Sequence, residues 1–473
     1  MSTRKSRRRR IMLVVTLVLV AGVGYWGWYN LFRVVPPPYY ENIEEHYKYG
    51  SIGTEEPTGM PYWIFMVLPK VFPDLLPAPG GWMALGAMWE EGVELPVGFT
   101  KQTIGFERVG QNCSVCHTAT SRLSEHEAPT LYLGAPGRFD SAGYLRFLIA
   151  CAEDPRFTAG NLLGAITQIY DMPLTERLLY RFLIIPGTRD ALMDLKETYS
   201  FMDRRPPWGV GRTDMNPFQL VVMGLEDNGS VGSTDIMPLW NQRAHDGFLR
   251  HSDGLNPTVV EAARAAALAA GATPESIDIE AIDRLLPWLD ELPPPPYPYG
   301  IDAELAAQGQ PIFDAECASC HAFDGARTGT VISADELGTD RNRTDHWPAS
   351  AGESFNEYAE DYDWDFDAFT HSDGYGARPL DGIWLRSPYL HNGSVPTLAD
   401  LLSPPAQRPT TFYRGSDIFD PVGVGFVTTG DHAERYGQFY DTGVVGNGNG
   451  GHTYGTALSD DDKRALIEFL KTQ

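Results

Sequence analysis

Basic residues are in short supply in this chain of 473: 37 Lys and Arg stand against 62 Asp and Glu, a formal net charge of −25. Like charges repel, so nucleic acid is excluded as a partner, and so is anionic lipid for the bulk of the chain. Long apolar runs are scarcer still. With 43% hydrophobic and 21% charged residues the composition is that of a globular protein. A disordered chain, a collagen-like fibre and a polytopic membrane protein are all excluded. Apart from one short motif that occurs twice, no internal repeat is detectable, and no β-pattern of any length. The expected fold class is mostly α, in roughly three units of ~150 residues.

What charge there is of the scarce sign sits at the start. Residues 1–10 carry six positive charges and no negative one. An uncharged stretch follows at once, from Ile11 to Phe32. At ~1.5 Å per residue it covers about 33 Å as a helix, enough to cross a hydrocarbon core. The basic end should stay in the cytoplasm, with Trp26, Trp28 and Tyr29 at the outer interface. A cleaved signal peptide is the competing reading; Val20-Ala21-Gly22 is the nearest cleavage candidate and lies inside the apolar run. On both readings everything after residue 33 is exported.

Cysteine is scarce too, and its placement is informative. Four of the five cysteines fall in Cys113-Ser-Val-Cys116-His117 and Cys317-Ala-Ser-Cys320-His321. C-x-x-C-H is the attachment signature of c-type haem: two thiols add to the vinyl groups and the adjacent histidine becomes the proximal iron ligand. The spacing is a physical requirement, since two thioethers and one imidazole must reach a single porphyrin from one helical turn. A disulfide, a zinc half-site or a redox pair would suit one copy; two copies in an exported chain point to two covalent haems. Attachment on the far side of the bacterial inner membrane agrees with the anchor. The expected location is therefore single-pass in that membrane with the haem domains in the periplasm, or soluble periplasmic or secreted after cleavage. Cys151, in an apolar run, reads as a buried, inert thiol.

The chain divides around the two motifs. Residues 1–10 form a cytoplasmic basic segment and 11–32 the anchor or signal. Residues 33–100, rich in Pro, Gly and aromatics, read as an irregular extension. Residues 101–290 form the first haem domain and 291–473 the second. Thr258 to Ala270 is a helix stopped by Gly271. The run Pro293 to Tyr299 is a stiff extended connector. From Ile301 the pattern looks like a small cytochrome c: a helix carries Ala306, Gly309 and Phe313 into the second motif, and Ser459 caps a terminal helix with acidic residues in its first turn. The acidic, aromatic insertion Glu353 to Asp367 reads as a solvated surface loop, or as an entry surface for a cationic partner.

The stretch Trp384-Leu-Arg-Ser-Pro-Tyr-Leu-His391-Asn-Gly-Ser-Val-Pro-Thr-Leu resembles a signature of bacterial dihaem cytochrome c peroxidases. Further segments support it: Leu131-Tyr-Leu-Gly-Ala-Pro, Pro207 to Pro217 with Arg212, Asp214 and Asn216, Pro238-Leu-Trp-Asn241, and Asn447 to Thr456 with His452. Together they run from about residue 105 to the C-terminus and are closer to the rubber-oxygenase-like branch of dihaem cytochromes c. That resemblance implies a mostly helical pair of cytochrome c domains and oxidative chemistry on dioxygen or peroxide. Leu249-Arg-His-Ser-Asp-Gly departs from the branch, and the chain is short and anchored, so polyisoprene is not carried over as substrate.

Nine of the eleven histidines are not proximal. A satisfied or exposed imidazole is the default for each. His452, in a glycine-rich loop before the terminal helix, can be laid over a haem face, and the resemblance favours it as distal ligand of the second haem; His391 is the other candidate. No equally clear ligand follows the first motif, where His126 and His251 are the alternatives to an open iron. Arg212 and Asp214 in a glycine-framed turn, with Trp208 and Phe218 beside them, are the candidate catalytic or pocket residues, and also read as loop-fixing and core residues. Three functions follow. One is a redox enzyme activating O₂ or H₂O₂ at the first haem, possible substrates including an apolar small molecule or polymer, with electron relay through the second. One is a periplasmic electron carrier with both irons six-coordinate. The third is a maturation or interaction protein. A periplasmic electron donor or acceptor is expected as partner, and a calcium ion between the domains is left open.

Overall fold

The structure, a computed structural model, describes residues 2–473, with the side chains of residues 7, 8 and 10–473. The remaining side chains of the basic cluster lie outside the described residues. One helix, α1 (Ser2–Leu31), opens the chain. Its segment Arg10–Leu31 is 22 residues long, apolar enough to cross a membrane, and exposed along nearly all of its length, meeting the folded body only near Leu31.

The segment 33–100 is more regular than its composition suggests. Asn42 caps α2 (Ile43–Tyr49) by accepting from the amides of Glu44 and Glu45, and α3 (Tyr62–Val71) is largely buried. Strands β1 (Val34–Val35), β2 (Met60–Pro61), β3 (Phe99–Ile104) and β4 (Phe106–Gln111) form an antiparallel sheet in the order β1-β3-β4-β2. This sheet corrects the expectation of no β-structure. Its strands are short and bury residues in pairs, so strict apolar–polar alternation is missing. The turn between β3 and β4 is the single residue Gly105, at φ 74°. A Cβ there would stand 2.4 Å from the backbone of Leu31, so only glycine fits. Ile64, Phe65, Trp82 and Phe99 join Phe147 and Leu148 of the helix Ser141–Glu153 in one core, which makes 33–100 an integral wall of the first half.

The second half is built on two crossing helices, Ala303–Glu316 and Asp460–Leu470. Gly309 lies at the crossing, where a Cβ would come within 2.0 Å of the Ala465 carbonyl oxygen. Phe313 meets Phe469 at 5.1 Å between ring centroids. Ser459 caps the terminal helix through the amide of Asp462, as the sequence suggests, and Thr258 caps Val259–Ala269. The connector 293–299 is non-helical and is fixed by the Trp384 indole, which donates to the Pro295 carbonyl at 2.8 Å. The acidic insertion is not a free loop. It begins as the helix Ala349–Tyr358, and Phe355, Phe366 and Phe369 are buried together against Trp347.

The halves interlock. Residues 411–441 reach back onto the first half: Arg122 pairs with Asp417 at 3.0 Å, Arg138 donates to the Gly415 carbonyl at 2.6 Å, and the Gln438 side chain accepts from the Val210 amide at 2.9 Å.

Candidate haem sites

Both C-x-x-C-H segments fold as the same single turn. The His117 amide donates to the Cys113 carbonyl at 3.0 Å, and the His321 amide to the Cys317 carbonyl at 3.0 Å. All five cysteines are free thiols. The imidazoles of the two motifs are held alike as well: His117 Nδ1 lies 2.8 Å from the Met237 carbonyl and His321 Nδ1 lies 2.7 Å from the Arg378 carbonyl. A carbonyl can only accept, so each Nδ1 carries the proton and each Nε2 is left with its lone pair for a metal. Burial takes the His117 ring down to about 4 and lowers His321, which keeps both neutral at physiological pH. Tyr47 adds a hydrogen bond to the His117 carbonyl at 2.6 Å. Thiols and imidazole in one turn, with the imidazole tautomer fixed, fit a covalent c-type haem.

The two motifs differ in what faces them. The His452 ring stands 6.2 Å from the His321 ring, centroid to centroid. Two imidazoles bound to one metal at ~2 Å each would have centroids about 6 Å apart. The loop that presents His452 is strongly braced. Arg408 donates to the carbonyls of Asn449 (2.7 Å), Gly451 (2.8 Å) and His452 (3.1 Å), and the His452 amide donates to the Leu337 carbonyl at 2.8 Å. His452 itself sits at φ 44°, a left-handed conformation that a non-glycine residue adopts at a cost. Burial, then the neighbouring His321, holds its pKa down at about 4.

His391 does not face His321 in this way. Its ring stacks on Tyr375 at 3.8 Å, and its carbonyl accepts from the Asp235 amide at 2.7 Å. The residues after it explain the signature. Asn392 donates to the carbonyls of Gly446 (3.1 Å) and Gly448 (3.0 Å), and Ser394 to Gly448 at 3.0 Å. This turn clips the glycine loop that leads to His452.

Arg212 belongs to the same clip. It is buried, donates to the Asn447 side chain at 2.8 Å, and is not paired with Asp214. Asp214 instead accepts from the Asn216 amide at 2.8 Å and from Ser233 at 2.6 Å, which fixes its own turn. Trp208 lies elsewhere, donating to Ser141 at 3.0 Å and packing with Phe201 and Met202. The structure therefore does not gather Arg212, Asp214 and Trp208 into one hydrogen-bonded group. Phe218 and Met215 lie in the apolar cluster that reaches Cys113. His126 projects into solvent with its side chain 88% exposed, which removes it as a ligand candidate. His251 is enclosed, at φ 62°, and its Nε2 has no protein partner. Among the described residues no group of three or more His, Cys, Asp or Glu gathers to hold a metal ion.

Residues missed in the sequence are Met237, Arg378, Tyr47 and Arg408. The first two act through main-chain carbonyls, which every residue type has, so no signal could have marked them.

Residues 374–413, which hold Arg378, His391 and the clip, match the RoxA-like, cytochrome c-like family. A cytochrome c-like domain is thus present, and it implies covalently bound haem c. Among individual proteins the chain is similar to the uncharacterised protein y4iM of Sinorhizobium fredii, 31% identical over 289 residues, 51% of this chain and 64% of that one. It is also similar to y4iJ of the same organism, 48% identical over 108 residues, 21% of this chain and 17% of that protein. The chain thus spans less than two thirds of each relative.

Proposed function

We propose that this chain is an exported dihaem c-type cytochrome that acts as a redox enzyme, with the haem on His117 open to a small oxidant and the haem on His321 closed by His452. One observation carries the reading: the proximal rings are held identically, yet a second imidazole stands 6.2 Å from His321 while no such ring pair involves His117 among the described residues. Haem c supplies one-electron storage at a closed iron and binding of O₂ or H₂O₂ at an open one. The protein's own residues do the rest. Met237 and Arg378 fix the tautomers, Arg408 and Asn392 hold His452 in place, and Met215 and Phe218 provide apolar surface beside Cys113 that excludes water. The spanning-length helix supports retention in the bacterial inner membrane, with both haems on the periplasmic side and a periplasmic protein as electron donor or acceptor.

A second reading, an electron carrier with both irons six-coordinate, draws on the unpartnered Nε2 of His251. Spectra separate the two. The enzyme reading expects one high-spin and one low-spin haem, cyanide binding to the first, and conversion of the second to high spin in His452→Ala. Two low-spin haems that bind no cyanide and show no peroxide turnover would leave only the carrier.

A further inference from the structure

A helical rod runs from Leu174–Leu179 through the wide turn Tyr180–Ile184 into Ile185–Thr198. Leu179, Tyr180, Ile184 and Ile185 face the core of the first half. The opposite face is apolar too. Leu174 is 69% exposed, Leu178 46%, Phe182 64% and Leu183 53%. Leu174, Leu178 and Phe182 recur every four residues, so they form one stripe along the rod. Single exposed apolar residues are ordinary, but a contiguous stripe marks a contact surface. Arg177 and Arg181 lie exposed along it, in a chain that is otherwise strongly acidic.

Its position says what it meets. Leu31 at the end of α1, Phe106 beside the β3–β4 turn, Trp63, Tyr170 and the inner face of the rod all belong to one packed cluster. The Gly105 amide of that turn donates to the Arg33 carbonyl at 2.7 Å, just past the end of α1. Trp63 stacks on Tyr170 at 4.1 Å, and Glu107 is near enough to act on Tyr170, Glu176 and Tyr180. The rod that carries the stripe therefore packs into the same cluster that receives the end of the spanning-length helix.

We infer that the stripe Leu174–Leu183 rests on the bilayer surface, giving the protein a second membrane contact beside α1. This rests on reading residues 10–31 as a retained anchor. Leucine and phenylalanine side chains enter the acyl boundary while Arg177 and Arg181 reach headgroup phosphates. The acidic remainder of the chain is repelled from the same anionic surface, so the body is set upright with the second half outward. A spanning helix alone would let the domains tumble; two contacts fix their tilt.

The test uses full-length, haem-loaded protein in vesicles of phosphatidylethanolamine and phosphatidylglycerol that include a lipid with a photoactivatable acyl chain. Phe182→Cys is compared with Val422→Cys, an exposed site on the second half (81% exposed in the parent residue). Native Cys151 is buried and does not compete for label. A membrane-impermeant maleimide should label Phe182→Cys about ten-fold more slowly, and lipid adducts should map to 174–183 as well as to 11–31. Equal labelling with adducts only in 11–31 overturns the inference and leaves the anchor intact. Protection without lipid adducts means that protein covers the stripe, and also overturns it. Protein that fails to float with the vesicles sinks the anchor reading and the inference together.

Discussion

Arg343 is 2% exposed, and its guanidinium meets Asp253 through Nε at 2.7 Å and Nη2 at 3.3 Å. Its Nη1 donates to the Gly232 carbonyl at 3.0 Å, so the charge is paired and each guanidinium nitrogen has a partner. Breaking such a pair strands a buried cation and costs about 3–5 kcal/mol, more than the pair itself contributes. Asp253→Ala should lower the stability from urea unfolding by that amount, and Asp253→Asn by less because the amide oxygen still accepts. Asp253 follows His251 in the same short loop, and the Arg378 side chain donates to the His251 carbonyl at 2.8 Å while its own carbonyl holds His321. One arginine thus ties that loop to the histidine of the second motif. The two C-x-x-C-H turns were legible because that motif is a statement about side-chain chemistry. Arg378 and Met237 were not, because their contribution is a main-chain oxygen placed by the fold.

At the scale of elements, the crossing of Ala303–Glu316 with Asp460–Leu470 has no room for a side chain at residue 309. Gly309→Val should push the helices apart, cost about 1–3 kcal/mol and shift the haem absorbance of the second half, since the first helix leads straight into Cys317. Circular dichroism and the visible spectrum of purified Gly309→Val check both effects. The helices of the second half and the Ser459 cap were readable, because a cap followed by apolar periodicity is local information. The β3–β4 hairpin was hidden for the opposite reason: its pairing buries residues according to what packs on the sheet, not according to strand alternation. The insertion misled through its charge. Glu353, Asp361 and Asp363 face outward, yet Phe355, Phe366 and Phe369 carry the fold inward at the same time.

Over the whole molecule, buried imidazoles set the response to acid. Burial lowers His251 and His346 from 6.5 to about 4; Asp253, Arg343, Arg378 and Arg250 face the first, and Asp214, Arg343, Arg205 and Asp253 face the second. The unfolded chain binds protons at these residues that the folded chain refuses. Their contribution is therefore complete above about pH 6.5 and is lost as pH falls from 6.5 towards 4. Urea midpoints should fall between pH 7.5 and pH 5.5, by up to about 1.4 kcal/mol per histidine for the first unit below 6.5. A flat profile over that range would mean the rings are not enclosed. The interlock of the halves has a consequence for biogenesis. Residues 411–441, which contact the first half through Arg122, Arg138 and Val210, leave the ribosome long after Cys113 does. At ~5–20 residues per second, those contacts are missing for some tens of seconds of synthesis after the first motif emerges. On the proposed dihaem reading that delay is a maturation window, in which Cys113 and Cys116 are free to take haem before the last strands dock.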